Sequence, residues 1–143
     1  MTETKVKTIP YNPIYRPLLI RALEEEGVTV DKMVFEGNPT AILMDEEGYL
    51  GFFSFQIKDN FPYLDHFVIF KNRRSYHNFY VMWKEFCRMM ICMGYMRFMS
   101  NAPREKEHLK RFYKYWTGKD EPYTSKDGND FYIMPVTRKG VVA

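Results

Sequence analysis

A chain of 143 residues is the length of one domain, able to bury roughly 70% of its unfolded surface. Its make-up, 45% apolar and 27% charged, is that of a globular protein with a water-facing surface. The net charge of +3 suits anionic partners but lacks the dense basic stripe of a dedicated nucleic-acid binder, so nucleic acid is not an expected partner. No stretch approaches the roughly 18 apolar residues of a membrane span, and the first residues carry no leader-like apolar core, so the expected location is the cytoplasm.

The opening Lys5–Ile9 alternates as a short strand does. "NPIYRPLLIRALEEEG" then reads as a helix, with Asn12 as its N-cap, Pro13 at the first helical position and Gly27 as its stop. "NPTAILMDEEGYLGFFSFQI" is a hairpin, its apolar runs flanking the turn cluster Asp45–Gly48. After the break at "KDNFP", "YLDHFVIF" is a third strand, so Thr40–Phe70 forms an antiparallel meander. From about Asn78 the apolar period becomes helical, with Phe79, Trp83, Phe86 and Met90 as its buried stripe, and Gly94 ends the helix. "YMRFMS" is again a strand, and a strand–helix–strand unit implies parallel pairing with a right-handed crossover. "REKEHLKRFYKYW" places Leu109, Phe112, Tyr113 and Trp116 on one side of a last helix, and a D-G turn at Asp127-Gly128 joins two closing strands. The expected fold is α+β in the order β α β β β α β α β β, a mixed sheet with helices against it, in a single domain over residues 1–143. Cys87 and Cys92, five positions apart on one helix, point ~140° apart and cannot bridge, so both read as buried thiols in a reducing compartment. The three histidines and two cysteines show no metal-ligand spacing, and no metal site is expected.

Three cations within four residues, Lys71, Arg73 and Arg74, stand between the third strand of the meander and the following helix. A helix start there offers unpaired N–H groups, and with the cations it forms a seat for an anion. The loop holds no glycine.

This element order resembles the GNAT superfamily of acyl-CoA-dependent N-acetyltransferases. The likeness is most specific from "YLDHFVIF" onward: the loop before the long helix, Asn101 after the next strand, "HLKRFYKYWTG" with its Phe-Tyr pair before a glycine, and "FYIMP" in the closing strand. The resemblance implies a mostly antiparallel central sheet with helices on both faces. It also implies an acetyl-CoA-dependent N-acetyltransferase in which an amine attacks the thioester directly. Family loops read R/Q-x-x-G-x-G/A; with Arg73 at the R/Q place the glycine positions hold Tyr76 and Asn78, and with Arg74 there they hold His77 and Phe79.

Carried over by position, the resemblance assigns the coenzyme A phosphates to Arg73, Arg74, Ser75, Tyr76, His77 and Asn78. The thioester falls to the strand backbone at Phe67, Val68 and Ile69, and the pantetheine arm or the substrate to Asn101. Tyr113 is the implied general acid for the departing thiolate. The general base stays open between Asp65, His66 and Glu36. Asp65 and His66 are adjacent on one strand and so face opposite ways. A looser likeness to small GNAT-like proteins of tailed phages keeps a second reading open. In it the chain is a catalytically degenerate binding, structural or accessory protein of a phage, acting on a host or phage protein from the host cytoplasm.

Overall fold

A computed structural model describes residues 6–27, 38–104 and 106–137. The strands are β1 (Lys7–Pro10), β2 (Thr40–Asp45), β3 (Gly48–Lys58), β4 (Phe61–Ile69), β5 (Arg97–Pro103), β6 (Thr124–Lys126) and β7 (Asn129–Pro135). The α-helices among the described residues are α1 (Arg16–Glu25), α2 (Tyr76–Cys92) and α3 (Glu107–Thr117). The strands hydrogen-bond in the order β1–β2–β3–β4–β5–β7–β6. The sheet is mixed and mostly antiparallel, with β4 and β5 the parallel pair, registered at Tyr63↔Met99.

The chain forms two compact units, one of residues 1–56 and 65–84 and the other of residues 57–64 and 85–143. In the first, alternation along the strands sorts the helices onto opposite faces. Val68 and Phe52 pack with Leu19, Ala22 and Leu23 of α1. Their neighbours Phe67 and Phe53 stack together on the other face, where Phe67 meets Phe79 and Trp83 of α2 edge-on. Gly51 lies on that α2 face and is required by crowding. A Cβ there would stand 2.2 Å from Val68 O and 2.8 Å from Met82 Sδ, well inside contact distance.

In the second unit, β5 and β7 pair along their whole lengths, from Arg97↔Pro135 to Pro103↔Asn129. The turn that closes β6 and β7 holds Asp127 and Gly128 at φ 53° and 79°, the left-handed pair that a two-residue hairpin needs. Phe98 of β5 packs edge-on against Phe86 of α2. Trp116 of α3 donates its indole N–H to Pro135 O at 2.7 Å. Asp130, buried at the base of the hairpin, accepts from Ser125 and Arg104 and lies 3.5 Å from Lys110 Nζ, tying the turn to α3.

Several element bounds differ from the sequence reading, each for a local reason. Asn12 caps a 3-10 turn at Pro13–Tyr15, through Ile14 N–H, and the α-helix proper begins only at Arg16. The long helix starts at Tyr76, two residues before Asn78, because Ser75 Oγ takes the Asn78 amide as an N-cap does. Tyr95 and Met96 belong to the turn after Gly94 rather than to a strand, with Tyr95 N–H closing back on Met90 O. β5 instead runs on to Pro103, so Asn101 sits within the strand opposite Phe131 and not after it. Arg104 N–H continues that ladder to Gly128 O, which delays α3 until Glu107. Cys87 is buried as expected, but Cys92 is exposed. Lys5, placed in the first strand by the sequence, lies outside the described residues.

Candidate functional site

In the first unit, β4 delivers Phe70 to a single 3-10 turn, Lys71–Arg73, which then feeds α2. Arg73 is bound to the β2–β3 turn. Its guanidinium meets Asp45 at 2.5 Å, with Glu47 3.4 Å away, and donates to the carbonyls of Gly48 and Tyr49. The pair is largely shielded, at 10% exposure for the Arg73 side chain and 7% for that of Asp45. The hydrogen bond from Arg73 is the main cause that holds the Asp45 carboxyl below its usual value of 3.8. Arg74 pairs with Glu26 beyond the end of α1 and also donates to Ile69 O. Both arginines expected on phosphate therefore have carboxylate partners in the fold, and Arg73 acts as a clamp between loop and hairpin. Lys71 is exposed, and it lines an open cleft of about 650 Å³ with Ala22, Tyr49 and Phe70 on the α1 face.

The backbone of this loop is organised around the helix start. Ser75 Oγ accepts the Asn78 amide at 3.0 Å, and the Asn78 side chain donates to Arg73 O at 2.6 Å. These two bonds fix where the first turn begins. Among the described residues no partner stands against the amides of Tyr76 and His77, the first donors of a helix 17 residues long. Tyr76, which takes a glycine position of the GNAT loop pattern when Arg73 holds its R/Q place, does not fill the space before them. It is 67% exposed and its ring stacks on Tyr80, 6.4 Å away and one turn into the helix. The ring of Phe79 is turned the other way, against Phe67 and Trp83.

On β4, Val68 and Ile69 are buried and Phe67 is half-buried. The close approach of Val68 O to Gly51 marks where the strand backbone presses on β3. Asp65 is exposed, and its Oδ2 accepts from Asn38 Nδ2 at 3.1 Å and Gln56 Nε2 at 3.3 Å. His66 Nε2 lies 3.8 Å from the same oxygen, so these two residues, although adjacent on a strand, converge at their tips. Glu36 lies outside the described residues.

In the second unit, Tyr113 is 4% exposed. Its hydroxyl lies 2.6 Å from Ser100 Oγ and donates to Asn101 O at 3.2 Å, so Ser100 is left as the donor to Tyr113. Burial pushes the phenol up to about 12, against the opposing pull of the Ser100 hydrogen bond. The Asn101 side chain itself is on the exposed side of β5, and His108 is exposed on α3. Tyr132 packs edge-on against Tyr113 with ring centroids 5.2 Å apart. Sequence reasoning did not single out Gly51, Asp45, Ser100 or Tyr132. Of these, Gly51 carried a readable signal, because an isolated glycine inside a strand marks a bulge or a close backbone approach.

No protein-family model and no curated protein matches the chain by sequence. Solved structures match it by shape. A GNAT-family protein from Desulfovibrio desulfuricans superposes with a TM-score of 0.71 at 12% identity, covering 93% of this chain and 100% of its own. The ribosomal-protein-S18-alanine N-acetyltransferase of Escherichia coli gives 0.72 at 8% identity, over 95% of this chain and 97% of its own. PaiA N-acetyltransferase from Thermoplasma acidophilum, solved with coenzyme A, gives 0.71 at 11% identity, over 92% and 99%.

Proposed function

Given that the chain has the GNAT fold, we propose that it is an N-acyltransferase that takes acetyl-CoA and passes the acetyl group to an amine. One observation carries this reading: the start of α2, where among the described residues the Tyr76 and His77 amides have no partner and the Tyr76 ring stacks on Tyr80. A phosphate needs donors and positive potential, and a helix N-terminus supplies both without glycine when the side chains there turn outward. In this reading the phosphates rest on backbone amides, and Arg73 and Arg74 hold the loop in shape from behind. Lys71 is the loop's exposed ammonium and adds charge.

In the reaction the amine nitrogen forms a bond to the thioester carbonyl carbon, the carbon–sulfur bond breaks, one amine proton leaves to a base and one proton reaches the sulfur. Asp65 and His66 are the proposed base pair. Asp65 Oδ2 is already oriented by two amide donors, and the His66 imidazole stands 3.8 Å from the same oxygen, close enough for the two to act together on one proton. Tyr113 is the proposed proton donor. Holding reactants in place supplies most of the rate in such two-substrate transfers.

A second reading, binding without turnover, is favoured by Tyr113 itself. Both of its hydrogen-bonding valences are engaged, and a phenol pushed up to about 12 is a poor match for a thiol near 8.5. In that reading the fold recognises a host or phage protein, or coenzyme A alone. Titration of the protein with acetyl-CoA separates the readings. The enzyme reading expects a rise in melting temperature, near 2.7 kcal/mol of stabilisation at about 100 times Kd, and release of free thiol when an amine is added. Stabilisation without thiol release leaves only the binding module, and no stabilisation at millimolar acetyl-CoA overturns both the transferase and the coenzyme A site.

A further inference from the structure

The second unit contains a cleft that the acyl-donor reading does not use. It opens beyond the C-terminus of α3, between the segment Thr117–Tyr123 and β7, with a volume of about 540 Å³. Tyr132 forms part of its wall. That side chain is 2% exposed, and among the described residues its hydroxyl has no hydrogen-bond partner. A buried hydroxyl left without a partner is unfavourable, so a group that completes it gains more than the same contact would give at the surface.

The rest of the lining says which group. Asp120 and Glu121 contribute two carboxylates and Lys119 one ammonium, so the cleft has a net negative rim. Tyr123, 68% exposed, offers a ring face at the mouth. An ammonium group can donate to the lone pair of Tyr132 Oη, pair with the carboxylates and lie against an aromatic ring. An anion meets repulsion from the same rim. The field at Tyr132 has the same sign: burial first, and then the carboxylates of Asp130, Glu121 and Glu107, push its phenol up and keep the hydroxyl neutral.

We propose that the cleft formed by Tyr132, Asp120, Glu121 and Tyr123 binds a primary ammonium group. Nothing in this recognition involves the acyl donor, so the site can be tested by itself.

The test is an NMR titration of the ¹⁵N-labelled full chain with n-butylammonium, n-butanol and n-butyrate at constant ionic strength. The ammonium is expected to give saturable shifts confined to amides of residues 117–123 and 131–133, with little or no response to the alcohol or the carboxylate. Glu121→Gln, at an exposed position that does not threaten folding, and Tyr132→Phe should each weaken binding by about tenfold, the usual loss for one hydrogen bond to a charged group. Absence of saturable shifts overturns the proposal. So does equal binding of the alcohol, or ammonium binding that neither substitution changes. Failure here with acetyl-CoA binding intact leaves the acyltransferase reading standing.

Discussion

In the unit that holds the β4–α2 loop, the side chains most conspicuous in the sequence are engaged locally: Arg73 on Asp45 and Arg74 on Glu26. Beside them the first amides of α2 have no partner among the described residues. In the unit that holds α3 and β7, two phenols lie deep in an aromatic core. Tyr113 is satisfied twice over, and Tyr132 has no hydrogen-bond partner among the described residues. Both units pair a shielded carboxylate with cations, Asp45 with Arg73 and Asp130 with Arg104 and Lys110, and they differ in what stands beside the pair: a helix start in one, a phenol that lines a cleft in the other. The difference teaches that the cations of a loop can be engaged by the fold itself, and that a plain core tyrosine can be the more informative residue.

The comparison breaks most visibly at Gly51. Replacing it with alanine forces β4 away from β3 at Val68 and should cost at least about 3 kcal/mol, read from urea unfolding, or prevent folding outright. Tolerance of alanine there would mean that β4 does not press on β3 as described. Next comes the clamp. Asp45→Asn leaves a shielded guanidinium without its carboxylate and should lose about 2 kcal/mol.

The clamp also has a pH signature. The folded Asp45 pKa lies below 3.8, so its stabilisation is complete above that value and disappears as pH falls through the lowered folded pKa. Asp130 is lowered too, chiefly by its hydrogen bond from Ser125, and acts in the same direction. Acid unfolding curves of Asp45→Asn should therefore be shallower than wild type but not flat.

In the second unit Tyr113→Phe strands the buried Ser100 hydroxyl and should cost about 1–2 kcal/mol. Tyr132→Phe, by contrast, removes a hydroxyl that has no partner, and stability should stay within about 0.5 kcal/mol or rise. Equal losses at the two tyrosines would erase the contrast between them.

Much of this fold was legible because its signals are local. The Asp45–Gly48 cluster, the Asp127-Gly128 turn and the switch from period two to helical period, read at about Asn78 and found two residues earlier, each act within a few residues. Parallel pairing of β4 and β5 followed from the helix between them. Boundaries failed where long-range pairing extended a strand, as β7 did for β5 through Pro103. The candidate site was legible in position but not in partners. The Arg73 loop stood out by charge, yet its carboxylate lies 28 residues earlier, and nothing in the local pattern joins the two. Tyr113 carried a family likeness that said nothing of its burial. Tyr132 looked like any alternating core residue, because an absent hydrogen bond leaves no trace in sequence.

The central claim, that backbone amides at the start of α2 seat the phosphates, is tested most directly by Tyr76→Pro. Proline is well tolerated in the first turn of a helix, where it removes one N–H and leaves the fold intact. Calorimetric titration with acetyl-CoA should then show binding weakened by about tenfold or more at unchanged melting temperature of the free protein. Binding equal to wild type in a folded Tyr76→Pro protein would contradict the account.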